Sequence, residues 1–347
     1  MSRVLITGGA GFIGCNLADR LAGEGHEVVV MDTLARPGVE ANLKWLLLRH
    51  GARVRHLTAD VRQAQAVEAA AAQADVVFHL AAQVAVTTSL ADPRSDFDIN
   101  LGGALNVLEA VRARRTPVIF ASTNKVYGDL ADIELALQNE AWQPADPGLR
   151  LRGVDERRPL DFHTPYGCSK GAADQYVLDY ARSYEVPTCV IRMSCIYGPR
   201  QLGTEDQGWV AHFLIRALED APITLYGDGC QVRDILHVDD AVDAYVAAWA
   251  RMTAVSGRAF NLGGGPENAV SLRELIGHID RLVGRQTDLR FEDWRAGDQR
   301  YFVADASAAH RTLGLGAPKP WRTGVSELAD WLRAERRLDI RVGSAAA

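Results

Sequence analysis

The sequence predicts an α/β protein, a doubly wound parallel sheet carrying a smaller C-terminal lobe. Short apolar runs rich in β-branched residues alternate with stretches of three- and four-residue apolar spacing. A glycine-rich turn follows the first run and opens a helical stretch. Beyond residue 200 the alternation gives way to shorter, less regular segments.

Strands are expected at Val4–Thr7, Val28–Met31, Val54–Leu57, Val76–Leu80, Val118–Ser122 and Cys189–Arg192. Helical spacing runs between them, as at Leu101–Val111 and Ala172–Tyr184. Such alternation means βαβ units, and so parallel strands with helices on both faces. After Tyr197-Gly198-Pro199-Arg200, strands are expected at Ile223–Tyr226 and Val232–Leu236. Helices are expected near Asp239–Arg251, Leu272–Val283 and Val325–Arg333. The main domain is assigned to residues 1–195, with later segments crossing back, and the lobe to 196–338. The lobe is expected to cap the carboxyl ends of the strands. Residues 339–347 are expected to be a disordered tail.

The 347 residues suit one α/β unit with an appended lobe. A net charge of −6 argues against nucleic-acid binding, which needs a basic surface. No apolar run is long enough to span a bilayer, and Met1 leads directly into a strand without a signal-peptide pattern, so a cytoplasmic protein is expected. Five cysteines without a C-x-x-C pair argue against disulfides and zinc; no metal is expected.

Gly8, Gly11 and Gly14 in Thr7-Gly8-Gly9-Ala10-Gly11-Phe12-Ile13-Gly14 have the spacing of a dinucleotide-binding turn. Gly8 permits the turn, Gly11 admits a diphosphate, and Gly14 lets the helix approach the sheet. The diphosphate then meets the positive end of the helix dipole at Phe12 and Ile13. The strand before and the helix after make this a Rossmann arrangement rather than a bare glycine turn. Asp32 ends the second strand, where a carboxylate binds ribose hydroxyls and repels a 2′-phosphate; the expected cofactor is NAD. Arg36 nearby weakens that preference if it faces the ribose. Asp60 and Val61 are placed beside the adenine, although Asp60 also fits a helix N-cap.

Tyr166-Gly167-Cys168-Ser169-Lys170 places a phenol and an ammonium four residues apart, on one helix face. A free tyrosine titrates near about 10. The lysine cation, with a positive nicotinamide, is expected to lower it enough for the phenol to take a hydroxyl proton.

With these motifs the chain resembles the extended short-chain dehydrogenases/reductases, the family of nucleotide-sugar epimerases and dehydratases. Leu80-Ala81-Ala82-Gln83, Asn100, Ser122-Thr123, Val126-Tyr127-Gly128, Arg192 and Arg233-Asp234 through Asp240 are similar to its further motifs, in order. The resemblance implies Leu80, Ala81 and Ala82 at the cofactor, and Thr123, Tyr166 and Lys170 as the catalytic group. It also implies a homodimer through helices near 101–113 and 168–184. Dehydratases of the family carry Asp-Glu where this chain has Asn124-Lys125. An amide and an ammonium cannot remove water in their place, so reversible oxidation, and hence epimerisation, is expected. Ser122 to Asp129, Leu160 to Tyr176, and Arg200-Gln201 with Asp206 to Val210 resemble the CDP-paratose 2-epimerases. That implies inversion at C2 of a CDP-hexose through a 2-keto intermediate.

By the same resemblance Arg233 and Arg295 are placed at the diphosphate, with Arg200 as a weaker candidate; guanidinium forks match phosphate oxygens. Asn124, His163, Cys195, Gln207 and Trp209 are further substrate-site candidates. Cys195 stands where the family usually carries asparagine, and leaves the preferred sugar open. The competing readings are a UDP-hexose 4-epimerase, a net reductase releasing NADH, and a non-catalytic dinucleotide-binding scaffold.

Overall fold

Val4 and Ile6 pack into one apolar layer and Leu5 into another. That is the period-two alternation of a strand covered on both faces. The computed structural model describes residues 1–295 and 297–336, and the expected tail lies outside them. Seven parallel strands form the main sheet: β1 (Arg3–Thr7), β2 (Glu27–Met31), β3 (Val54–Leu57), β4 (Val76–His79), β5 (Val118–Thr123), β6 (Thr188–Met193) and β7 (Arg258–Leu262). Their order is β3-β2-β1-β4-β5-β6-β7. Helices Phe12–Gly23, Val39–His50 and Val238–Ala250 cover one face. Helices Ala64–Ala71, Gly103–Arg112 and Thr164–Tyr184 cover the other. Val4 pairs with Val28 on one side and with Val76 on the other, so strand order reverses at β1. At such a switch point the carboxyl ends of the strands leave a crevice in which ligands bind.

Six of the seven strands lie within about a residue of where the apolar runs place them. The seventh, β7, returns from the C-terminal part of the chain and pairs with β6. Its polar Asn261 masks the run. That residue is buried because its amide donates to the Val154 carbonyl (2.9 Å) and accepts from Tyr127 Oη (2.8 Å). An unforeseen hairpin joins Leu135–Gln138, mostly exposed, to the partly buried Ala141–Pro144. It turns on Asn139 and Glu140, both at positive φ, the conformation that matches the twist of a two-residue hairpin.

In the C-terminal part, Val232–His237 pairs with Cys195–Tyr197, Ala269–Ser271 and Tyr301–Phe302. Ile223–Tyr226 pairs with Leu289–Glu292. Helices Trp209–Leu218, Leu272–Val283 and Trp321–Arg336 close a separate core around Leu214, Leu225, Ile276 and Leu328. Ser271 caps the second of these by accepting the Glu274 N–H at 3.2 Å. No helix among the described residues is long and apolar enough to cross a membrane.

Candidate active site

A cavity of about 740 Å³ opens at the carboxyl ends of β1, β2, β4 and β5, and extends to the C-terminal lobe. Its sheet end begins at the glycine turn. Gly8 has φ +70°, and a Cβ there would stand 2.7 Å from the Ala81 nitrogen. A Cβ on Gly14 would stand 2.7 Å from Gly9 Cα. No side chain caps the helix that starts at Phe12, so its first-turn N–H groups are left for a ligand. Asp32 accepts the Ala10 N–H (3.1 Å) and the Leu34 N–H (2.9 Å), which fixes its carboxylate beside the turn. Glycines that a Cβ would fill, an uncapped helix start and an acceptor-only carboxylate fit a dinucleotide without a 2′-phosphate. Gly11, Ile13, Val61, Leu80, Ala81 and Ala82 line the same end. Asp60 lines it too, but its carboxylate is clasped by Arg62 (2.6 Å). Arg36 lines this end and donates to Gln207 and the Leu202 carbonyl, tying the sheet edge to the lobe.

Thr123, at the end of β5, meets Tyr166 and Lys170 at the middle of the cavity. The Lys125 N–H donates to Thr123 Oγ1 at 3.2 Å and sets its rotation. Helix Thr164–Tyr184 carries Tyr166 and Lys170 one turn apart, and both are buried. Lys170 Nζ lies 4.2 Å from the centroid of the Phe120 ring. Burial pushes the Tyr166 phenol up to about 12, opposed by a hydrogen bond with Thr123. Burial draws the Lys170 ammonium down to about 7, opposed by Asp174 and Asp96. Within the chain itself desolvation dominates the phenol, and the lowering expected in the sequence also draws on the positive nicotinamide.

Two polar networks that the sequence did not reveal hold this group. Arg192 forks onto Asp174 (2.9 and 2.8 Å), Ser122 donates to the same carboxylate (2.8 Å), and Arg192 reaches Tyr127 Oη (3.1 Å). Asp174 lies one turn beyond Lys170, a spacing that could have drawn notice. In the second, Asn100 donates to Asp96 (3.1 Å) and Ser169 (3.0 Å), while Ser169 donates to Asp96. Ser89 Oγ accepts the Tyr166 N–H at 3.2 Å.

The lobe end is lined by Asn124, Cys195, Gln207, Trp209, Arg233 and Arg295. Trp209 Nε1 donates to Cys195 Sγ at 3.3 Å. Arg233 pairs with Asp298 at 2.7 Å and Arg295 with Glu205 at 3.5 Å, so both guanidinium groups are already partly neutralised. Two sequence candidates fall elsewhere. His163 does not line the cavity; its half-exposed ring sits between Asp129 (3.5 Å) and Asp161 (3.1 Å). It precedes the helix in extended conformation and so does not share the face of Tyr166. Arg200 stacks on Trp45, 3.2 Å from the ring centroid, and does not line the cavity.

A family model described as the NAD dependent epimerase/dehydratase family matches residues 4–263. Over 340 residues the chain is 42% identical to the CDP-paratose 2-epimerase of Salmonella typhi, covering 95% of this chain and 98% of that protein. It is 33% identical over 334 residues to a UDP-glucose 4-epimerase of Mycolicibacterium smegmatis, covering 95% and 98%. The solved structure of the Thermus thermophilus UDP-glucose 4-epimerase in complex with NAD matches with a TM-score of 0.81 at 30% identity, over 95% of this chain and 99% of that one. With the cavity, the glycine turn and the tyrosine–lysine pair, these matches show that the chain belongs to the NAD-dependent epimerase/dehydratase family.

Proposed function

We propose that the protein inverts C2 of a CDP-linked hexose through a 2-keto intermediate. The observation that carries this reading is the placement of Thr123, Tyr166 and Lys170 in one cavity with Asn124 and Lys125, where elimination of water would need carboxylates. The 42% identity to a CDP-paratose 2-epimerase along the whole chain supports C2 and a cytidine nucleotide. The weaker match to a UDP-glucose 4-epimerase keeps C4 of a UDP-hexose as the second reading.

Tyr166 takes the proton of the reacting hydroxyl and later returns it. NAD, when bound, supplies the hydride acceptor and a positive ring charge that favours the phenolate. Thr123 bonds the sugar oxygen and steers the proton toward Tyr166. Lys170 bonds the nicotinamide ribose, and Arg233 and Arg295 take the diphosphate. The oxidised sugar turns over in the cavity and is reduced on its other face. Residues 1–195, with β7, serve the cofactor, and the lobe from residue 196 serves the nucleotide sugar. Exposed Leu105, Tyr176 and Tyr184 support a homodimer through the helices near 101–113 and 168–184. Five free thiols suit a cytoplasmic setting.

The reading is tested by incubating the enzyme with CDP- and UDP-hexoses and following the products by NMR. The expected product is inverted at C2 and carries cytidine; inversion at C4 of a UDP-hexose would favour the second reading. Asp32→Ala is expected to weaken NAD about tenfold or more, from loss of charge-assisted hydrogen bonds, while NADP changes little. Equal loss of both cofactors in titration would contradict the role given to Asp32.

A further inference from the structure

Lys125 is a cation in the cavity wall that the proton transfer does not use. Its backbone fixes Thr123, but its side chain goes elsewhere: Nζ donates to the Gly297 carbonyl at 3.1 Å. An ammonium has three donors, and this bond takes one. Arg233, Asp298, Cys195 and Asp129 are the charged or titratable groups that act on it. Burial, with Arg233, draws it down to about 8. Arg233 and Arg295 form ion pairs with carboxylates, whereas the Lys125 bond goes to a neutral carbonyl. A desolvated cation left in this condition is a receptor for an anion.

The reacting carbon decides which anion arrives there. In a nucleoside-diphosphate sugar oxidised at C2, the neighbouring carbon C1 carries the diphosphate. The sugar-linked phosphate therefore lies next to the reaction. In oxidation at C4 it lies across the ring. Lys125 follows Thr123 by two residues and opens onto the same cavity. We propose that Lys125 grips the sugar-linked phosphate. The assignment rests on the C2 reading.

CDP carries the sugar-linked phosphate and CMP does not, so the pair isolates the contact. Both affinities are measured by calorimetry on NAD-loaded wild type, Lys125→Met and Lys125→Arg. In Lys125→Met, CDP is expected to weaken about 10- to 100-fold, the size of a charge-assisted contact, with CMP changed by less than about threefold. Lys125→Arg restores most of the CDP affinity. Unchanged CMP binding certifies that the fold and base site survive. In the wild type the ratio of CDP to CMP affinity should fall as pH rises through about 8, where Lys125 loses its proton; in Lys125→Arg it should stay level. CDP affinity within about threefold of wild type in Lys125→Met, or equal loss of CDP and CMP there, overturns the assignment. Either result is distinct from failure of the C2 reading, which is judged from the inverted carbon of the product.

Discussion

Tyr166→Phe is expected to lower kcat by about 10²- to 10⁴-fold, the range for loss of a positioned acid–base group, with melting temperature and NAD affinity unchanged. The substitution removes one oxygen and keeps the ring, so the buried helix face retains its packing. The Tyr166 N–H stays on Ser89, and Lys170 keeps its place over Phe120. Burial holds the free phenol near 12, so the base form is scarce until a positive charge arrives beside it. Turnover should accordingly rise with pH in the wild type, as the phenol gives up its proton, and this limb should vanish in the variant. Turnover within about threefold of wild type would remove Tyr166 from the proton path.

Asp174→Ala is expected to destabilise the protein by about 3–5 kcal/mol, measured by denaturant unfolding. Asp174 and Arg192 are buried, and their fork is completed by Ser122 and Tyr127. Removing the carboxylate leaves the guanidinium uncompensated away from water, which costs more than the pair itself contributes. The same carboxylate favours the charged form of Lys170 one turn earlier, so its loss also moves that lysine toward neutrality. A change under about 1 kcal/mol would mean that water or a neighbouring group takes over the guanidinium.

The parts of the site that were legible in sequence are those whose geometry is local. Gly8, Gly11 and Gly14 shape one turn. Tyr166 and Lys170 share a helix face because four residues make about one turn. The Asp174–Arg192–Ser122–Tyr127–Asn261 network joins separate segments of chain, and the spacing of Asp174 from Lys170 marks only one of its members. His163 shows the limit of periodic reasoning: three residues before Tyr166 it would share the helix face, but the helix begins at Thr164. Arg200 occupies a motif position, yet it is drawn to the Trp45 ring rather than to the cavity. For the Tyr166 phenol, the neighbouring lysine charge is visible in sequence and the desolvation that raises it is not.

The most direct measurement of the central claim is proton NMR of the CDP-hexose reaction run in deuterated water. Hydride removed and returned within one cavity predicts inversion at C2 with the original hydrogen retained there, and no net NADH. Deuterium at C2, or inversion at another carbon, would contradict the account.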